Sequence, residues 1–120
     1  MQWTLNKNRP VCPQICEMLC VDIAKGVFGP DCRLPSVREL ASTLGVNPNT
    51  VQRAMETMEE QGLLYSVRGS GWFARQDTSR ATEVLDRLRR EKTADFFRTM
   101  ELLGLSTQEV KEFVKEWDYE

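Results

Sequence analysis

Five polar side chains crowd the start of one short, apolar-patterned segment: Asn47, Asn49, Thr50, Gln52 and Arg53 in the run GVNPNTVQRAMETMEEQG. Asn and Gln amides pair bidentately with adenine and Arg with guanine, and a helix N-terminus favours a phosphate, so this grouping suits the reading of a nucleic-acid duplex. Arg38 lies upstream in LPSVREL, and Arg68, Gly69 and Ser70 lie downstream in VRGSGW. An arginine there clamps a phosphate or enters a minor groove, and glycine lets backbone approach closely. The competing reading of these residues is a solvated polar face.

A second chemical pattern is the row Cys12, Cys16 and Cys20, at i, i+4 and i+8, with Cys32 further on. Soft thiolates bind zinc or copper(I), and paired thiols oxidise, so the row carries a thiol- or metal-responsive sensor hypothesis. Against it, Ile15, Leu19 and Ile23 share the same apolar face, and cysteine packs as a small hydrophobe. Adjacent helical turns also hold Cβ atoms near the upper limit for an unstrained disulfide. Packing is the expected role, with no metal site. The chain has no histidine, which removes the commonest general base and metal ligand, and no pair of carboxylates is spaced for catalysis. Neither an enzyme nor a cofactor is expected.

These residues need a scaffold, and the local signals supply one. Pro35 blocks helix upstream while Ser36 and Glu39 form a capping box for a helix carrying Val37, Leu40, Ala41 and Leu44 on one stripe. Gly45 ends that helix, Asn47 caps the next, and Pro48 stands at a first helical position where its missing amide costs nothing. Val51, Ala54, Met55 and Met58 should face the core of this second helix, which runs to about Gln61 before Gly62 stops it. Leu63 to Ser66 and Gly71 to Arg75 then alternate as two strands, with turn chemistry from Val67 to Ser70. The expected fold is mainly α with a small β-hairpin wing, a winged helix-turn-helix over residues 1–75.

LPSVRELA, LGVNPNTV, QGLL and RGSGWF together resemble the gluconate-repressor (GntR) type of winged-helix transcription regulator, from Pro10 to about Arg75. The segment PVCPQICEMLCVDIAKGVFGPDCR is similar to the family's first helix, which packs behind the reading head. The resemblance implies DNA contacts from Arg38; from Asn47, Asn49, Thr50, Gln52 and Arg53; and from Arg68 and Gly69, and Ser36 and Ser70 beside them are further candidate contacts. Some family members carry arginine where Pro48 and Gln52 stand, so those members' base preferences do not transfer.

Beyond a short polar linker, Gln76 to Ser79, a helical stretch from about Arg80 to Leu103 repeats Ala81, Val84, Leu85, Leu88, Phe96, Met100 and Leu103. Gly104 ends it, and a capping box at Ser106 and Glu109 opens a last helix with Val110, Phe113, Val114 and Trp117. Two such helices cannot cover both apolar faces against each other alone, so residues 76–120 are expected to be a two-helix dimerisation tail. Its adhesive residues would be Leu85, Leu88, Phe96, Met100, Leu103, Val110, Phe113 and Trp117. The short tail resembles that of the YtrA-like subgroup, which implies homodimers. An apolar groove between tails could alternatively hold a hydrophobic ligand, and no effector is identified.

The net charge is −2, from 16 basic and 18 acidic side chains. Residues 1–75 hold eight basic and seven acidic groups and residues 76–120 eight and eleven, so the acidic excess lies in the tail. A specific reader needs a local basic rim, which Arg38, Arg53, Arg68 and Arg75 can supply. No apolar run is long enough to span a membrane, and Gln2, Asn6, Lys7, Asn8 and Arg9 keep the start polar, so a cytoplasmic location is expected. Together these readings describe a homodimeric repressor that binds double-stranded DNA at an inverted repeat. The alternatives are a winged-helix protein-interaction module and the thiol or metal sensor.

Overall fold

The computed structural model describes residues 3–28 and 32–117. Gln2, and Gly29, Pro30 and Asp31 of the segment before LPSVREL, lie outside the described residues. The chain forms two compact units, Met1–Leu85 and Asp86–Glu120. Its elements are α1 (Val11–Ala24), α2 (Val37–Leu44), α3 (Pro48–Glu60), β1 (Leu64–Val67), β2 (Gly71–Ala74), α4 (Ser79–Leu102) and α5 (Thr107–Lys115).

In the first unit the apolar stripes meet as their spacing requires. Ile15, Leu19 and Ile23 of α1, Leu40 and Ala41 of α2, and Val51, Ala54, Met55 and Met58 of α3 are all buried. α1 and α2 both pack against α3. Gln14 is buried among them and fully engaged: its Nε2 donates to the carbonyls of Asn6, Arg9 and Pro10, and its Oε1 accepts from the Asn6 amide. That ties the N-terminal segment to α1, because a buried amide left unpaired would be costly.

The turn between α2 and α3 is set by local chemistry. Ser36 Oγ accepts the Glu39 N–H at 3.1 Å, and Asn47 Oδ1 accepts the Asn49 N–H at 2.8 Å. Gly45 takes the left-handed conformation at φ 68° and donates to the Ala41 carbonyl, closing α2. A side chain at that φ is strained, which is why glycine stands there.

The hairpin is antiparallel and pairs Leu64 with Ala74 through to Val67 with Gly71. Its first strand starts one residue later than the alternation suggests, because the Leu63 N–H is taken by the Met58 carbonyl as the chain leaves α3. Its second strand ends at Ala74: the Arg75 N–H still donates to the Leu63 carbonyl, but with the Leu63 N–H spent on Met58 that pair is not completed. Residues 32–34 add a short edge beside β2: Arg33 bridges Phe73, the Leu34 N–H donates to the Trp72 carbonyl, and the Ala74 N–H donates to the Cys32 carbonyl.

The compact first unit runs to Leu85 and takes in the start of α4, past the polar linker expected at Gln76 to Ser79. The physical reason is burial: Ala81, Val84 and Leu85 of α4 are covered there, and Arg80 Nε donates to the Gln61 carbonyl at 2.8 Å. Asp77, whose Oδ1 accepts the Ser79 N–H, caps the start of α4. In the second unit Val110 of α5 is buried. Ser106 and Glu109 form the full capping box, Ser106 Oγ accepting the Glu109 N–H and Glu109 Oε1 accepting the Ser106 N–H. α5 ends at Lys115, so Trp117 lies just past the helix instead of inside it.

Two outcomes follow. Gly45→Val should destabilise the chain by about 1–2 kcal/mol, the cost of a left-handed residue bearing a side chain, as read from urea unfolding. Glu109 is held below the ordinary carboxylate range chiefly by the Ser106 backbone hydrogen bond. Its contribution is therefore present at neutral pH and lost as pH falls through that lowered value. Unfolding of the wild type and Glu109→Gln should differ near neutrality and converge in acid.

Candidate nucleic-acid interface

With one stripe of α3 buried, the opposite stripe of its first two turns faces outward. Asn49 and Arg53 are exposed, while Thr50 and Gln52 are half-buried. The helix begins here with Pro48 at its first position and Asn47 as cap, so free amides and the positive end of the helix dipole lie beside these side chains. Asn47 and Ser36 spend an oxygen on capping, which leaves the Asn47 amide nitrogen and the Ser36 hydroxyl hydrogen as their donors to a ligand. Gln52 is not free either: its Nε2 donates to Glu56 Oε1 at 3.0 Å. That bond uses one of the two Nε2 hydrogens, which leaves Gln52 an N–H and its Oε1 for a base, and Glu56 brings an acceptor suited to a cytosine amine onto the same face.

Arg38 on α2, Arg53 on α3 and Arg68 at the hairpin tip are exposed and make no ion pair with any carboxylate among the described residues. Arg33 shares that state, and it escapes a motif reading because only the folded edge brings it to the hairpin. Its guanidinium lies about 3.4 Å from where a Cβ on Gly71 would stand, so glycine at 71 leaves room for it. Gly69 and Ser70 form the exposed turn, the Ser70 N–H donating to the Val67 carbonyl. Arg75 sits over the Tyr65 ring at 5.4 Å, and Tyr65 stacks on Phe73 at 5.6 Å, so this cation braces the hairpin. A further unforeseen residue is Glu59 of α3, whose Oε2 accepts from both the amide and the hydroxyl of Ser66, fastening the wing to the helix.

The thiols do not assemble a closed metal site. Among the described residues no group of three or more His, Cys, Asp or Glu side chains could hold a metal ion. Cys20 is buried and donates to the Ala81 carbonyl at 3.4 Å, Cys16 is half-buried and donates to the Ala54 carbonyl at 3.7 Å, and Cys32 is exposed. Burial first, then the neighbouring Cys12, pushes the Cys16 thiol up to about 12, so it stays protonated at neutral pH.

The second unit presents an apolar groove of about 520 Å³ lined by Phe96, Met100, Phe113, Val114 and Trp117. Phe113 and Trp117 rings lie 6.1 Å apart. Phe96, Leu103, Phe113 and Trp117 are exposed and Leu88 half-buried, as an open stripe requires. Leu85 and Val110 are not part of it: each is covered inside its own unit. Leu102, 87% exposed, and Val114 extend the apolar surface instead.

Residues 13–74, which hold α1 to α3 and the hairpin, match the gntR family of bacterial regulatory proteins. The chain belongs to the GntR family. Likeness continues through the tail, placing it in the YtrA-like subgroup. The HTH-type transcriptional repressor YtrA of Bacillus subtilis is 29% identical over 111 residues, 91% of this chain and 85% of that protein. A GntR family transcriptional regulator from Listeria monocytogenes has a solved structure with TM-score 0.79 and 32% identity, covering 95% of this chain and all of that one. The DNA-binding domain of AraR, solved in complex with operator ORX1, matches at TM-score 0.53 and 35% identity over 62% of this chain and 90% of its own. This GntR-family protein is thus a transcription regulator with a DNA-binding head, in a family of regulators and not of enzymes. No helix among its described residues is long and apolar enough to cross a membrane.

The unpaired arginines yield a direct test. Arg33→Ala, Arg38→Ala and Arg68→Ala should each weaken binding to every duplex tried and reduce the log–log salt slope by about 1, as loss of one phosphate contact does. Unchanged slopes in folded variants would remove these residues from the interface.

Proposed function

We propose that this chain is a homodimeric, sequence-specific repressor that acts in the cytoplasm by occupying an inverted-repeat operator. The observation that carries the reading is the juxtaposition of the polar N-terminal face of α3 with uncompensated arginines on α2, α3 and the wing. Such a surface attracts phosphates by charge and discriminates bases by side-chain amides. The operator complex of AraR and the repressor name of YtrA support the same role here. Occupying a promoter needs no activation surface.

Dimerisation rests on two arguments. One recognition helix reads only a few base pairs, whereas a two-fold dimer addresses half-sites about one helical turn, roughly 34 Å, apart. The open groove of the second unit supplies an apolar surface that a second copy would cover, and two copies of one surface meet naturally in an isologous interface. The dimerisation set then becomes Leu88, Phe96, Met100, Leu103, Phe113 and Trp117, with Leu102 and Val114 added.

Gel shift and sedimentation on the full chain test both parts. Asn49→Ala should relax base choice at one position in each half-site, costing about 1–3 kcal/mol of discrimination. Phe113→Asp should give monomers at micromolar concentration and lose tight operator binding while keeping weak, salt-sensitive binding to any duplex, because a charge cannot be buried unpaired in an apolar interface. A wild-type chain that shifts no duplex at low salt would instead favour the protein-interaction module.

A further inference from the structure

The row of thiols on α1 is the one chemical pattern that the reading head and the tail leave unused. Cys12 and Cys16 stand one turn apart on the same face of α1, both half-buried. Cys20 is fully buried, and Cys32 lies off α1. Among the described residues no group of three or more ligating side chains could close a tetrahedral zinc site, so the half-buried pair on α1 is left for two-sulfur chemistry.

Geometry narrows the class further. Side chains at i and i+4 of a helix have Cβ atoms about 5–6 Å apart, whereas a disulfide needs about 3.5–4.5 Å, so direct S–S bonding would distort α1. A single atom inserted between the sulfurs removes that mismatch. Thiols held one helical turn apart match a bent chelate, in which both sulfurs bind one atom at an angle, better than a linear one that spreads them apart. Once the first bond forms, the second is intramolecular and benefits from high effective concentration. A soft, three-coordinate centre that uses two sulfurs and keeps one other substituent meets each condition.

We propose that Cys12 and Cys16 form a dithiol site for trivalent organoarsenicals, and that its occupation lowers the affinity of the head for DNA. The chemistry balances without an oxidant: R–As=O and two thiols give R–As(S–Cys)2 and one water, arsenic remaining trivalent. Coupling follows from the Cys16 contact. Its thiol proton lies between sulfur and the Ala54 carbonyl in the middle of α3, 3.7 Å away. Arsenic capture removes that proton and leaves sulfur facing oxygen, two electron-rich atoms with nothing between them. The packing of α1 on α3 then loses an attraction and gains a repulsion, and α3 carries Asn49, Gln52 and Arg53.

The test uses phenylarsine oxide on the reduced full-length chain. Native mass spectrometry should show one phenylarsenic per chain, with two of the four thiols lost to a thiol reagent and recovered on adding a small dithiol. Cys12→Ser and Cys16→Ser should each lose this stoichiometric capture, whereas Cys20→Ser and Cys32→Ser should keep it, with circular dichroism checking each fold. Duplex affinity of the wild type should fall about tenfold or more on capture, within the usual span of coupling between sites, and that of Cys12→Ser should not. No capture by the folded wild type, or equal capture by Cys12→Ser, overturns the site. Capture without a change in affinity overturns the coupling. The coupling rests on the DNA-binding reading, but the mass and thiol readouts do not, so failure of either is distinguishable.

Discussion

One-sided burial of α3 is the constraint from which the rest of the first unit follows. Val51, Ala54 and Met55 are fully excluded from solvent and Met58 nearly so. Hiding such side chains stabilises by roughly 1.5–3 kcal/mol for each large one, so the stripe they form fixes how the helix is rotated about its axis. A turn of one residue, about 100°, would carry Gln52 and Glu56 into the core in one sense or Thr50 and Arg53 in the other, and burying an unpaired charge is far worse than losing a contact. The reading face is consequently positioned by hydrophobic chemistry on the side opposite to it. Asn49, Gln52, Arg53 and Glu56 face out because four other residues must face in.

The same helix holds the wing. Glu59 takes both hydrogen-bond donors of Ser66, Leu63 and Leu64 drop into the core at the hairpin's root, and residues 32–34 brace β2 from its other edge. Hairpins of two short strands are marginal by themselves, so these three attachments are what give the turn at Arg68 a fixed place. The acidic total of the chain is no obstacle to an anionic ligand. Coulomb attraction at physiological salt is local, reaching about 8 Å, so the sign of the whole chain matters less than Arg38, Arg53 and Arg68, which pair with no carboxylate among the described residues.

Legibility in the sequence divides along the same lines. Ser36, Gly45, Asn47 with Pro48, and Ser106 with Glu109 act within a few residues of themselves, and each caps or ends a helix as its type requires. Glu39 is a partial exception, since α2 shows only the Ser36 half of the box. The stripes of α1, α2 and α3 were legible for a related reason, periodicity being a local property. Arg33, Glu59 and the Gln52–Glu56 bond were not, because each gains its place from pairing across elements or from a choice among rotamers. Leu85 and Leu88 look alike in a periodic pattern, yet only Leu85 is buried. Periodicity says which residues share a face, and tertiary packing decides where the cover stops. Val110 and Phe113 differ in the same way one turn apart on α5.

The second unit poses a choice between a small ligand and a second copy of the chain, and the distribution of apolar surface bears on it. A groove of about 520 Å³ is within the size of small-molecule sites, and its lining is apolar enough for a hydrophobic guest. Such a guest would cover Phe96, Met100, Phe113, Val114 and Trp117. It would leave Leu102 and Leu103, 87% and 74% exposed, in water, since neither lines the groove. Ligand sites concentrate their apolar surface inside the concavity, whereas protein interfaces spread it across a patch that continues past any one groove. The paired leucines at the end of α4 therefore favour a broad partner over a small one. In the dimer proposed above, the second chain would cover this exposed aromatic set together with the leucines and so complete the core of the unit.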